Sequence, residues 1–550
     1  MLPKISADYI RTTIDRTQAR SMVMSAGGVA ASEHPLASQA GVSVLARGGH
    51  AVDAAIAVNA AMGALAPMMN GVGGDLFAIV YDAGSGQLHG INGSGYAPAE
   101  LTIDGLRATG ITRMPQTGIN SVTVPGAVAA WSMLSERFGR QPLSDVLAPA
   151  IRIADEGFPV PEITAAEWEG SETLLRADEE ATRVFLPGGR APRIGQIFRN
   201  PDLASTYRAL ASSGRDAFYR GDIARRIVNC SHQHGGVLTA ADLAEYHAEW
   251  VTPLSTTYRG WTVYELPPNG QGIAALMMLN LLEHVPMGSL GHNSADALHM
   301  IIEAKKLAYA DMARHVCDPA FHRVPEAVLL SKAYAAERAR AIDPSHANPE
   351  VAAGTLSSEG GDTTYLSVVD RDGNMVSLIQ SVFGNFGSGL VPDGAGFALQ
   401  SRGGLFTLDP KHANALEPRK RPLHTIIPGF MTNGDTRIAF GIMGGWNQSQ
   451  AHAQFVSNVV DHGMNIQAAL EAARVTKITF TGCDVIAESR VPEMVRLELS
   501  DKGHEIDLQG AFSSLVGGGQ SVMRNYATGV NYGASDPRKD GAAVPEPFIT

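Results

Sequence analysis

Apolar and polar positions alternate in two textures along the chain, and their boundaries predict the elements. A short apolar run at residues 22–29 reads as a strand. It leads into a helical pattern in which Pro35 sits early and Gly48-Gly49 closes the run. Proline lacks an N–H that the first helical turn leaves unused anyway, and glycine accepts the geometry that ends a helix. An alanine-rich helix follows from Ala51. Its apolar stretch to Met69 carries Asp53 and Asn59, so it reads as a buried helix and not a membrane span. Two strand-like segments flank the turn Asp82-Ala83-Gly84-Ser85-Gly86.

From residue 125 to 350 the period is mainly helical, over 126–138, 143–156, 203–212, 223–230, 240–246, 294–313 and 332–341. A strand-like segment at 262–266 and the loop Pro267-Pro268-Asn269-Gly270 interrupt it. The texture changes at 343–362, where small and polar residues follow no period and predict an exposed, flexible connector. A hairpin comes next, from 365–370 and 374–382 around Asp372-Gly373. Further strands are expected at 437–441 and 485–487, and helices at 449–462 and 466–474. This alternation predicts an α/β layered protein with no internal repeat.

Composition narrows the function. The chain has 550 residues, 45% hydrophobic and 18% charged, enough for a large buried core. A net charge of −12 argues against nucleic acid as a partner, because phosphate binding needs concentrated Lys and Arg. Cys230, Cys317 and Cys483 are too scattered for a disulfide framework or a CxxC metal pair. The first twenty residues carry no apolar signal core, so a soluble, cytoplasmic enzyme with no membrane partner is expected. HExxH, GxSxG and P-loop patterns are absent, and Ser231-His232-Gln233-His234 has no second cluster to complete a site. Catalysis without cofactor or metal is the expectation.

The chemistry concentrates at Gly360-Gly361-Asp362-Thr363-Thr364-Tyr365, where the connector meets the hairpin. Two threonines there are ordinarily a strand start, since β-branching suits a strand. A threonine exposed by cleavage of the Asp362–Thr363 bond has a second use. Its α-amino group titrates near ~7.7–8.0 and serves as the base that a poorly nucleophilic hydroxyl needs.

These residues resemble the γ-glutamyltransferase family of N-terminal-nucleophile hydrolases. The likeness lies in Thr363-Thr364-Tyr365-Leu366-Ser367-Val368-Val369-Asp370, then Asp372-Gly373-Asn374 and Phe386-Gly387-Ser388-Gly389. Upstream, Glu33-His34-Pro35-Leu36-Ala37, Gly48 through Ala55, Asp216 through Gly221 and Glu303-Ala304-Lys305 match family blocks. Downstream, Lys420-Arg421-Pro422-Leu423 and Gly444-Gly445 do so as well. The resemblance implies a four-layer αββα sandwich and a precursor cut between Asp362 and Thr363. It implies a large portion of residues 1–362 and a small portion of residues 363–550 that stay associated as one catalytic unit; higher assembly is left open. It implies Thr363 as nucleophile, Thr364 and Ser381 as its hydrogen-bonding support, and Gly444 and Gly445 as backbone donors to the oxyanion.

The chain departs from the family where γ-glutamyl groups are recognised. Ser94 stands at the position of an arginine that grips the substrate carboxylate, and Leu405 at that of an aspartate that grips its ammonium. Phe383 replaces an asparagine, Tyr365 a common histidine, and His424-Thr425 a serine pair. Arg402 is a candidate replacement for holding a carboxylate, with His424 and Thr425 beside it; the plain alternatives are a solvated arginine and a structural histidine. The expected substrate is therefore a small amide with a carboxylate on its acyl group. The rival readings are a true γ-glutamyltransferase or glutathione hydrolase, and an uncleaved relative acting as a binding protein.

Overall fold

The computed structural model describes residues 18–351 and 362–547. Two seven-stranded sheets, antiparallel throughout, stack face to face. The first runs in the order Ala542–Pro545, Val29–Ser32, Asp362–Val369, Met375–Phe383, Asp75–Asp82, Gln87–Gly93, Glu249–Val251. The second runs Val23–Ser25, Val530–Ser535, Gly519–Asn525, Thr436–Ile442, Gly429–Asn433, Trp261–Glu265, Leu254–Tyr258.

Strand side chains alternate between faces, and the two faces meet different partners. Phe77, Ile79, Tyr365 and Ile379 point between the sheets and pack with Phe430, Ala439 and Val522 of the facing sheet. Leu366 and Val368 point outward, into a core shared with helices Pro35–Ala46 and Ala51–Leu65. The second sheet is covered by helices Gly272–Leu282, Ala295–His315 and Gln448–Val460. The layers are thus α, β, β, α, the sandwich that the resemblance implies. Every residue of Ala51–Leu65 is buried, which explains its alanine content: small side chains let it sit close to neighbours on all sides.

Three differences from the sequence reading have physical causes. The expected strand at 22–29 is two strands, Val23–Ser25 and Val29–Ser32, in different sheets. The crossing is made at Gly28, where a Cβ would lie 2.5 Å from Leu45 Cδ1. Helix Gly272–Leu282 has no polar face, so it shows no amphipathic period to detect. Residues 352–361 of the expected connector lie outside the described residues, while 343–351 is largely exposed but tethered. His299 Nε2 donates to the Asp343 carbonyl at 2.7 Å, and the Ala347 N–H donates to the Lys502 carbonyl at 2.7 Å.

The hairpin that carries Thr363 lies between Val29–Ser32 and Asp75–Asp82. Strands from before and after the Asp362–Thr363 bond therefore interleave in one sheet. Among the described residues no helix is long and apolar enough to cross a membrane, and the three cysteines are unbridged.

Candidate active site

Thr363 sits at a defect in the central pairing. Asp362 pairs with Phe383 and Thr364 with Gln380, so Ser381 and Val382 face the single Thr363 in a β-bulge. Bulges re-aim side chains, and here Thr363 Oγ1 donates to Ser381 Oγ at 3.3 Å. Ser381 Oγ in turn accepts the Phe383 N–H at 2.8 Å. Phe383 adopts φ +79°, a left-handed conformation that a bulky residue takes only under constraint. Thr363 is buried, with 1% exposure. Thr364 Oγ1 is buried without a hydrogen-bond partner, so in this uncut strand the direct contact to Thr363 comes from Ser381 and not from Thr364.

The glycine pair reaches the same end of the sandwich. The Phe440 carbonyl accepts from Ser377, the cross-strand partner of Ser367, while Gly441 lies against the Tyr365 ring, where a Cβ would be 2.3 Å away. Strand Thr436–Ile442 therefore advances towards Thr363 and hands over to Gly444 and Gly445. Their φ values are +116° and +56°, which suit glycine.

Arg402, Asp75, His424 and Thr425 form a fully buried polar cluster beside the bulge. The Ser401 N–H donates to the Val382 carbonyl at 3.0 Å, which sets Arg402 next to the defect. Its guanidinium lies 4.6 Å from the Phe383 ring centre, and Nη1 donates to Thr425 Oγ1 at 2.6 Å. Nε and Nη2 are buried and find no partner among the described residues. Burial pushes this guanidinium down to about 9, which leaves it a cation at neutral pH.

Asp75, which the sequence reading passed over, accepts from the Gly95 N–H at 3.0 Å, from Gln400 Nε2 at 2.8 Å and from His424 Nε2 at 3.0 Å. His424 Nδ1 accepts the Ile426 N–H, so the ring proton is on Nε2 and faces Asp75. Only the Gly73-Gly74-Asp75 context hints at this: a Cβ on Gly74 would lie 2.3 Å from the Ser381 carbonyl, so the glycines admit the bulge strand.

The two positions at which the resemblance implies lost clamps are neutral. Ser94 Oγ accepts Asn269 Nδ2 at 3.0 Å, and Asn92 bridges the two. Leu405 packs in an apolar cluster with Phe383 and Leu423.

Asp75 and His424 should give opposite stability slopes. Burial raises the Asp75 carboxyl to about 7, so the folded state holds a proton that the unfolded chain releases near 4, and stability falls as pH rises between those values. Burial, and secondarily the Arg402 charge, lowers His424 well below its ordinary value, so stability falls as pH drops below about 6.5. In thermal melts from pH 4 to 8, Asp75→Asn should keep only the acid-side loss. His424→Gln should keep only the loss between pH 4 and 7, at most roughly 4 kcal/mol. Parallel profiles for the two variants would contradict this assignment.

A second buried group was also missed. His299, Glu303 and His504 bring ligand-type atoms within 4.8 Å of one another. Lys306 Nζ already donates to Glu303 at 2.7 Å, and the two rings share a hydrogen bond of 2.8 Å. With Lys306 also donating to the Asn348 carbonyl, the group reads as the tether of residues 343–348.

Comparison with known proteins agrees with this architecture. A family model described as gamma-glutamyltranspeptidase matches residues 37–546. The crystal structure of a cephalosporin acylase from Bacillus halodurans superposes with a TM-score of 0.90 at 42% identity, covering 97% of this chain and 98% of that one. The glutathione hydrolase-like YwrD proenzyme of Bacillus subtilis is 36% identical over 93% of this chain and 97% of its own length. The oxamate amidohydrolase proenzyme of Klebsiella pneumoniae is 33% identical over 95% of this chain and 99% of its own length. With the sandwich, the bulged threonine strand and a match that runs through nearly the whole sequence, the chain belongs to the gamma-glutamyltranspeptidase family.

Proposed function

We propose that the protein is a self-processing amidohydrolase that uses Thr363 to cleave amides of small, carboxylate-bearing acyl groups. Scission of the Asp362–Thr363 bond yields residues 1–362 and 363–550 and frees the α-amine of Thr363. That amine takes the hydroxyl proton as Oγ1 attacks the substrate carbonyl. Negative charge develops on the carbonyl oxygen, where the N–H groups of Gly444 and Gly445 stabilise it. The tetrahedral intermediate expels the amine and leaves an ester on Thr363, which water hydrolyses. Two of the relatives carry the word proenzyme in their names, which supports the processing step.

One observation carries the substrate class: the buried Arg402 guanidinium beside the bulge, with Nε and Nη2 unpartnered. A buried charge without partners is costly, and the two free nitrogens suit a bidentate carboxylate. Beside Arg402, no comparable group among the described residues is open to an ammonium. Leu405 is apolar, and Asp75 is engaged by three donors. Desolvating an α-ammonium would therefore be uncompensated. One relative's name gives oxamate as its substrate, an acyl group with a carboxylate and no ammonium.

A panel of oxamate, glutaryl-p-nitroanilide and γ-glutamyl-p-nitroanilide tests the reading. Glutaryl amide should exceed γ-glutamyl amide in kcat/KM by about tenfold or more, the value of one unpaired buried charge at about 1.5–3 kcal/mol. Faster turnover of the γ-glutamyl compound would favour a true γ-glutamyltransferase instead.

A further inference from the structure

Resting on the oxyanion role proposed for Gly444 and Gly445, we infer that Lys305 and Tyr309, with Gln271, are positioning residues that hold that turn from behind. The three carbonyls from Gly444 to Trp446 are each tied down. The Gly444 carbonyl accepts the Asn447 N–H at 2.9 Å, and the Gly445 carbonyl accepts Gln271 Nε2 at 2.8 Å. The Trp446 carbonyl takes two donors from helix Ala295–His315: Lys305 Nζ at 2.9 Å and the Tyr309 hydroxyl. On the other side, the Met443 carbonyl abuts Gly517, where a Cβ would lie 2.0 Å away.

Peptide planarity turns these ties into catalytic geometry. In a trans peptide the carbonyl of one residue and the N–H of the next point in opposite directions. Holding the Gly444 carbonyl therefore sets the direction of the Gly445 N–H, and the close packing of the Met443 carbonyl on Gly517 limits that of the Gly444 N–H. Holding the Gly445 and Trp446 carbonyls fixes the peptide planes on the far side. Two successive glycines with positive φ have many alternative conformations, and an oxyanion hole works only if its donors are aimed before the charge appears. The lysine, tyrosine and glutamine supply that restraint from the C-terminal side, by fixing the two peptide planes that follow the glycine donors.

Lys305 is an expensive way to fill a core. It is 1% exposed, and its hydrogen bonds go to the carbonyls of Trp446 and Lys477. Its Nζ lies 4.6 Å from the Tyr309 ring centre. Burial pushes the ammonium well below its ordinary range, a penalty that a methionine of similar length would not incur. Gln271 also links the turn to the Arg402 cluster, since its Nε2 donates to the carbonyl of Thr425, whose hydroxyl holds Arg402. Ser449 donates to Gln271 Oε1 at 3.1 Å, and the Tyr309 oxygen lies 2.8 Å from the same atom, its single proton shared between Oε1 and the Trp446 carbonyl.

The test compares full-length, matured Lys305→Met, Tyr309→Phe and Gln271→Met with Gly445→Val, using glutaryl-p-nitroanilide and γ-glutamyl-p-nitroanilide as probes. Direct damage to an oxyanion donor lowers kcat by about 100- to 1,000-fold. Gly445→Val should fall in that range. Lys305→Met should lose about 10- to 100-fold in kcat and Tyr309→Phe about threefold to tenfold, each with KM within about twofold and on whichever probe the wild type prefers. Normal kcat in Lys305→Met beside a damaged Gly445→Val would overturn the inference and leave the oxyanion assignment standing. Full kcat in matured Gly445→Val would overturn both. A rise in KM at constant kcat would also overturn the inference, since it reports a binding role. Should Lys305→Met not fold, unchanged kcat in both Tyr309→Phe and Gln271→Met would decide against it.

Discussion

Thr363→Ala is expected to run as one band of about 58 kDa on a denaturing gel, whereas the wild type runs as two, near 38 and 20 kDa when the mass is apportioned by length. In the proposed mechanism the Thr363 hydroxyl attacks the preceding carbonyl, so its loss should abolish both self-cleavage and amidase activity. Ala lacks only the hydroxyl and a methyl, and the strand around it is held by pairing on both sides, so the fold should survive. The wild-type fragments should co-elute in size exclusion. The Thr363 hairpin lies between Val29–Ser32 and Asp75–Asp82, and Ala542–Pro545 pairs with the far side of Val29–Ser32, so separating the fragments would open this sheet along three seams and expose its core. N-terminal sequencing should read Thr363-Thr364-Tyr365. A small fragment beginning elsewhere would sink the nucleophile assignment, and a wild type that never cleaves would point to a non-catalytic binding protein.

Arg402→Met should be the most selective lesion. Charge-assisted hydrogen bonds are worth about 1.5–3 kcal/mol each, so losing two should lower kcat/KM on the glutaryl amide by about 100-fold or more. Turnover of an amide without a carboxylate should change little, and self-cleavage should proceed, because the scission itself uses the Thr363 hydroxyl and the preceding carbonyl. Stability should hold or rise, since an incompletely paired buried charge is replaced by a side chain that packs. Lower activity with an equal or higher Tm is the pattern of a group kept for function. If the preference for carboxylate-bearing amides survives in Arg402→Met, Arg402 is not its source.

The sequence made some features plain because their causes are local. Helix Leu143–Glu156 and strand Thr436–Ile442 follow from periodicity, and the hairpin from its Asp372-Gly373 turn. Thr363 stood out through the residue pattern around it. Asp75 did not, because an aspartate in a glycine-rich stretch looks like any turn residue. Its significance comes from burial against His424 and Gln400, which lie more than 300 residues away. The same holds for Lys305, which belongs to a matching block but whose contact with Trp446 spans 141 residues.

What the sequence determined by itself was the set of candidate groups and the elements that carry them: the threonine pair at a strand start, the glycine pair after a strand, and uncharged residues at Ser94 and Leu405. Only the tertiary structure decided where the charges that remain are spent. It buried Arg402 beside the bulge with two nitrogens open, engaged Asp75 with three donors, and left Ser94 in a neutral amide network. Periodicity and propensity are short-range properties of a chain. The cost of burying a charge, and the partner that offsets it, depend on which distant strands and helices the fold brings together.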